Sequence, residues 1–197
     1  MTVSLRERRR QQTARDIQLA TLDLAAEQGL ENVTTEEIAA SAGVSTRTFF
    51  NYYTNKEAAA IGSPPAFLDE DVAALREGRG ALSDDLKLFL DKHIKVLSEE
   101  VDVIRKVGNV LRTNEKARGI LEGFLMMQRR TLTEGLRGRI EDRHTAAALA
   151  SMTTDAVGRA IFLWEHEDGL TLGAALNTVW QGQMAAAQLL TSASADQ

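Results

Sequence analysis

Residues 33–53, VTTEEIAASAGVSTRTFFNYY, leave little freedom in how the chain around them folds. Thr34 followed three positions later by Glu37 is a capping-box pattern, and Ile38, Ala39 and Ala42 give the short helix it opens a single apolar face. Gly43 ends that helix. Ser45 is then a good N-cap for another helix running to about Tyr53. Upstream, residues 13–28 carry Ile17, Ala20, Thr21, Leu24 and Ala25 at helical spacing, followed by Gly29, where a left-handed cap is expected. A longer helix followed by two short ones around a glycine turn predicts a helix-turn-helix.

Aromatic residues make up only 5% of the chain, yet both tyrosines and two phenylalanines fall within Phe49–Tyr53. On a helix, Phe49 and Tyr53 lie one turn apart and form the anchoring face. Arg47 and Asn51, also one turn apart, project from the opposite side, with Thr48, Phe50 and Tyr52 on the flanks. The outward strip has the chemistry of a major-groove reader: Arg47 can donate two hydrogen bonds to guanine, and Asn51 can pair in bidentate fashion with adenine. Thr46 and Thr48 can meet phosphate or a thymine methyl. The Tyr52 hydroxyl suits a phosphate, and Lys56 would begin the next helix beside the DNA backbone. Thr34, Thr35 and Ser45 sit at helix N-termini, where free N–H groups favour phosphate.

The net charge of −5 argues only weakly against nucleic acid, because the charge is unevenly distributed. Arg6, Arg8, Arg9, Arg10 and Arg15 face only Glu7 and Asp16 in the first sixteen residues. We read residues 1–12 as a basic, flexible arm, with Arg10 as its candidate DNA contact. There is no cysteine, so thiol chemistry and disulfides are absent. The N-terminus lacks the apolar core of a signal peptide, and no apolar stretch is long enough to span a membrane, so a cytoplasmic location is expected.

The remaining chain is rich in alanine and leucine and has two prolines, Pro64 and Pro65, which should break the helix that Lys56 begins. Further helices are predicted at about 84–99, with Ser83 as cap, and at 101–112, 115–140, 145–166 and 172–191. The acidic runs Asp69–Asp71 and Asp84–Asp85 read as exposed charge or caps. The fold class is therefore all-α: a helix-turn-helix domain over 13–60, a second helical domain over 61–191, and a disordered tail at 192–197. There is no phosphate loop, nucleophile elbow or paired carboxylate motif. No enzymatic activity, cofactor or metal is expected.

The run TTEEIAASAGVSTRTFFNYYTNKEA resembles the N-terminal domain of the TetR family of bacterial transcriptional regulators. The shared pattern runs through Thr34, Ile38, Ala39, Ala42, Gly43, Val44, Ser45, Thr48, Phe49, Tyr53, Lys56 and Glu57, within a match over roughly residues 13–60. Phe50 departs from the family's usual tyrosine, so a hydroxyl often used on phosphate is missing. Tyr52 replaces a frequent histidine, Tyr53 a frequent phenylalanine, and Thr54-Asn55 a common proline-serine. The RTFFNYY variant with SPP downstream looks like an actinobacterial-style subgroup, some members of which bind acyl-CoA-like ligands.

The resemblance implies a homodimeric repressor that leaves a palindromic operator when a small apolar or acyl-type effector binds. The alternative is a DNA-bound scaffold controlled by a protein partner. An effector pocket between the helices placed at 84–140 would draw on Phe89, His93, Leu97, Val107, Leu111, Phe124, Met127 and Phe162, although plain core packing also accounts for such residues. The last two helices are implied to pair with their copies in the dimer, through Val157, Ile161, Trp164, Leu176, Trp180 and Met184. The competing reading is that these residues fill the protomer's own core.

Overall fold

A computed structural model describes residues 4–192, all of whose regular elements are helical. The chain divides into two compact units: residues up to Pro64 together with Glu100–Phe124, and Pro65–Glu99 together with Leu125 onward. Residues 100–124, assigned from sequence to the second domain, thus fold with the first.

The first unit opens with α1 (Leu5–Gln28), N-capped by the Ser4 hydroxyl. Residues 5–12 are therefore helical, in contrast to the expected flexible arm; the arginine run simply continues the helix outward. A 3-10 turn (Leu30–Asn32) leads to α2 (Thr35–Ser41), α3 (Thr46–Tyr52) and α4 (Lys56–Ile61). Gly29 does close α1 at positive φ, but its ψ of 138° lies outside the left-handed helical basin. Gly43, at φ 68°, makes the sharp turn between α2 and α3 that a residue with a Cβ would resist.

Two apolar clusters hold this unit together, one on each side of α1. Ile17, Ala20, Val33, Ile38, Ala39, Phe49, Tyr53 and Ala59 form the first, which joins α1 to the helix-turn-helix. Leu22 and Leu30 form the second with Ala60, Ile61, Val110 and Ala117, drawing in α7 (Val101–Thr113) and the start of α8 (Glu115–Leu136). Leu22 lies off the single stripe expected for α1, because the helix is covered on two sides. Ion pairs Arg15–Glu100 and Asp23–Lys106 also link α1 to α7 and its N-terminal boundary. The buried Gln18 amide donates to the Ile61 carbonyl at 3.0 Å, satisfying an orphan group at the end of α4. Gly62 beside it, at φ 66° and ψ −139°, adopts a backbone conformation that residues with a Cβ rarely take.

The second unit contains α5 (Asp69–Glu77), α6 (Leu82–Ser98), the rest of α8, α9 (Arg143–His166) and α10 (Leu172–Ser192). Helix α5 was not expected. Its Asp69, Glu70 and Asp71 occupy the first turn, where negative charge suits the helix dipole, and Val72 and Leu75 are buried. Ser83 does not cap α6; the N-cap is Ala81, which makes no side-chain bond. Helix α8 stops at Leu136 instead of near 140. The predicted tail lies outside the described residues except Ser192, which ends α10. Helices α9 and α10 pack along one another, and fully buried Ala146, Ala150, Ala156, Ala160 and Ala175 provide small contact positions.

Phe67 is buried against α6 in this unit. Its ring centroid lies 4.8 Å from Phe89 and 4.7 Å from the His93 ring. Burial pushes the His93 imidazole down to about 4 from 6.5, against the opposing pull of Asp71. The unfolded chain accepts a proton near pH 6.5 that the folded protein refuses until about 4. This contribution to stability is complete above the upper value and is lost as pH falls through the interval, by up to about 3 kcal/mol. Denaturant titrations at pH 7.5 and 4.5 should show a larger acid loss for the wild type than for His93→Gln. Equal losses would remove His93 from the account.

Candidate nucleic-acid interface

Helix α3 is positioned from inside the protein outward. Its N-cap, Ser45, accepts from the Thr48 amide at 3.0 Å and shares a 2.8 Å hydrogen bond with the Thr48 hydroxyl. Phe49 is wholly buried, and Tyr53 follows it into the core while donating its hydroxyl to the Ala14 carbonyl at 3.1 Å. These two anchors fix the rotation of α3. Arg47, Phe50 and Asn51 are consequently exposed, while Thr46, Thr48 and Tyr52 are half-buried on the flanks. Among the described residues, neither Arg47 nor Asn51 is held by another side chain, so both donor sets face solvent.

Helix α2 supports this arrangement through a complete capping box. The Thr34 amide and hydroxyl both donate to the Glu37 carboxylate at 2.8 Å, and the Thr34 oxygen accepts from the Glu37 amide at 3.2 Å. The backbone hydrogen bond from Thr34, then the one from its side chain, holds the Glu37 carboxyl below its usual range. The Thr34 hydroxyl proton is thus committed within the protein. Thr35 is also engaged, donating to Glu36 at 3.1 Å.

Lys56 begins α4, as expected. Its ammonium donates to the carbonyls of Glu31 and Val33, at 2.8 and 2.9 Å, tying the start of α4 to the turn before α2. Two of its three protons are engaged by these carbonyls. Arg10 is exposed on α1.

The residues expected to form an effector pocket are divided between the two units. Val107, Leu111 and Phe124 belong to the first unit; Phe89, His93, Leu97, Met127 and Phe162 belong to the second. Phe89 and Leu97 are buried, whereas Met127 and Phe162 are 68% and 62% exposed. Phe89 and His93 border a space of about 10 Å³, which is room for roughly one water. A larger open cleft of about 460 Å³ lies between α5 and α8, lined by Val72, Ala73 and Thr131 with Asp69, Arg76, Arg130 and Glu134. None of the expected pocket residues lines it. Sequence periodicity had no means of finding it, because α5 itself was missed.

The expected dimer residues also separate. Val157, Trp164 and Leu176 are buried within the protomer, so their side chains fill its own core; Ile161, Trp180 and Met184 remain half-exposed. No described helix is long and apolar enough to cross a membrane.

An exposed Arg/Asn strip on the second helix of a helix-turn-helix, anchored by buried aromatics, has the form of a DNA-binding surface. More specifically, residues 17–58 match the family model of the bacterial regulatory proteins, tetR family. No curated protein matches the sequence. Solved structures with the same fold include FadR of Thermus thermophilus, a TetR-family transcriptional repressor in complex with lauroyl-CoA. It shares 21% identity at a TM-score of 0.51, over 85% of this chain and 91% of that one. The Bacillus subtilis regulator FadR, in complex with stearoyl-CoA, shares 22% at 0.52, over 84% and 95%. The fatty acid degradation regulator FadR of Bacillus halodurans shares 24% at 0.53, over 86% and 93%.

Proposed function

We propose that the protein is a homodimeric repressor that binds a palindromic operator and is released by an acyl-type effector. The observation that carries the reading is the exposure of Arg47 and Asn51 on a helix whose opposite face is closed by Phe49. A two-fold dimer would present two such helices to successive major grooves about 34–36 Å apart. The outer faces of α9 and α10, with Ile161, Phe162, Trp180 and Met184, supply apolar surface for pairing with a second copy. The acyl class is suggested by the lauroyl- and stearoyl-CoA held by two proteins of similar fold. The cleft between α5 and α8 offers such a ligand the apolar Val72 and Ala73 and the cationic Arg76 and Arg130, beside the carboxylates of Asp69 and Glu134. Release requires that the effector bind the non-operator conformation more tightly, since equal affinity for both states shifts nothing.

Selection of duplexes from a randomised pool should yield a palindromic consensus, and lauroyl-CoA should weaken binding to it. Arg47→Ala should cost about 1–3 kcal/mol of affinity for the consensus and relax preference at one position in each half-site. Failure to enrich any sequence would overturn the reading. Enrichment without release by lauroyl-CoA would remove the acyl effector alone.

A further inference from the structure

We infer that Phe50 reads a thymine methyl group in the operator, making it a specificity-determining residue; this rests on the DNA-binding reading above. Phe50 is 54% exposed, although it adjoins the fully buried Phe49 in sequence. Its ring stands edge-on to that of Phe49, with centroids 5.2 Å apart and planes at 88°. One face of the contact is therefore fixed to the core of the domain, and the outward part of the ring is held in position before DNA arrives. Its sequence neighbour Asn51 and nearby Arg47 are the exposed polar readers of the same helix. An exposed ring beside the polar readers is placed to cover an apolar group that the partner presents.

The chemistry of duplex DNA restricts what that partner can be. A phenyl ring has no hydroxyl, so it cannot donate to phosphate as a tyrosine at the same place would. The base edges in the major groove offer hydrogen-bond donors and acceptors at every pair, but only thymine adds a methyl group there. Covering one methyl or methylene is worth about 0.8 kcal/mol, or roughly four-fold in affinity. The neighbouring polar contacts set register, so the methyl is required at a fixed step from the bases met by Arg47 and Asn51. Phe50 thus adds an A·T requirement through shape and hydrophobicity, with no hydrogen bond.

The test uses the full-length protein and the duplex consensus selected from a random pool. Each thymine is replaced in turn by deoxyuridine, which removes the methyl and keeps the base pair. At one thymine per half-site, replacement should weaken wild-type binding about four-fold and leave Phe50→Ala binding unchanged. Phe50→Leu, which keeps an apolar side chain, should retain part of the penalty. Thermal unfolding of the variants verifies that the exposed position leaves folding intact. A consensus lacking thymine, deoxyuridine replacements that are all silent, or penalties identical in wild type and Phe50→Ala would each overturn the assignment while leaving DNA binding in place. If no sequence is enriched at all, the DNA-binding reading fails and the Phe50 assignment falls with it.

Discussion

A fragment ending at Pro64 should be largely unfolded, even though it contains the entire helix-turn-helix. One of the two apolar clusters that hold α1 and α4 is completed by residues from beyond position 99. Leu22, Leu30, Ala60 and Ile61 share their cluster with Val110 and Ala117, with Val103, Val107, Leu111, Ile120 and Leu121 packed around it. Removing α7 and the start of α8 would return leucine and isoleucine side chains to water at up to about 1.5–3 kcal/mol each when fully uncovered. A fragment of this length begins with a small margin, because short chains bury a smaller fraction of their surface. Arg15, Asp23 and Glu57 would also lose Glu100, Lys106 and Lys116; Glu57 is the most consequential, since it is 8% exposed and has Lys116 at 3.1 Å. Circular dichroism should show weak helicity and a shallow melt. Joining residues 100–124 to the fragment through a flexible linker should restore a cooperative transition. A sharp melt from residues 1–64 alone would show that the first cluster suffices.

This division explains why the sequence revealed some parts of the protein and concealed others. The helix-turn-helix was legible because its signals are local: the Thr34–Glu37 box, Gly43, and Ser45 each act within four residues of themselves. The orientation of α3 was legible for the same reason, since Phe49 and Tyr53 on one side force Arg47 and Asn51 to the other. The apolar pattern of α7 showed that it has a buried face but carried no mark of which partner covers it. Val110 packs with Leu22 and Ile61, a contact set by tertiary topology alone. Helix α5 was missed because three acidic residues after two prolines resemble a loop until Val72 and Leu75 are seen to be buried. Trp164 and Leu176 had the composition of an interface, and Lys56 had the charge of a phosphate ligand. Burial and carbonyl partners gave those residues structural roles that the residue types did not distinguish.

Phe49→Ala should destabilise the first unit by about 3–5 kcal/mol, the usual cost of emptying a fully buried phenylalanine site. Such a loss is comparable with the whole stability of many domains, at about 5–15 kcal/mol. The site has little capacity to collapse: Ile17, Val33, Ile38 and Tyr53 reach it from different segments, and each is fixed by its own helix or turn. Helix α3 has only seven residues, far fewer than an isolated helix needs to persist in water, so its existence depends on this anchor. DNA binding should therefore disappear together with the cooperative melt of the unit, and saturating consensus duplex should restore part of both by mass action. Arg47→Ala should lose affinity with no change in melting, because its side chain is exposed. The comparison with Phe50 is sharper still, because the two residues are chemically identical neighbours. At position 50 truncation should be tolerated by the fold and detected only by the bases, whereas at position 49 the helix itself is lost. If Phe49→Ala melted like the wild type yet failed to bind, the ring would be acting at the DNA surface, and the rotation of α3 described above would have to be reversed.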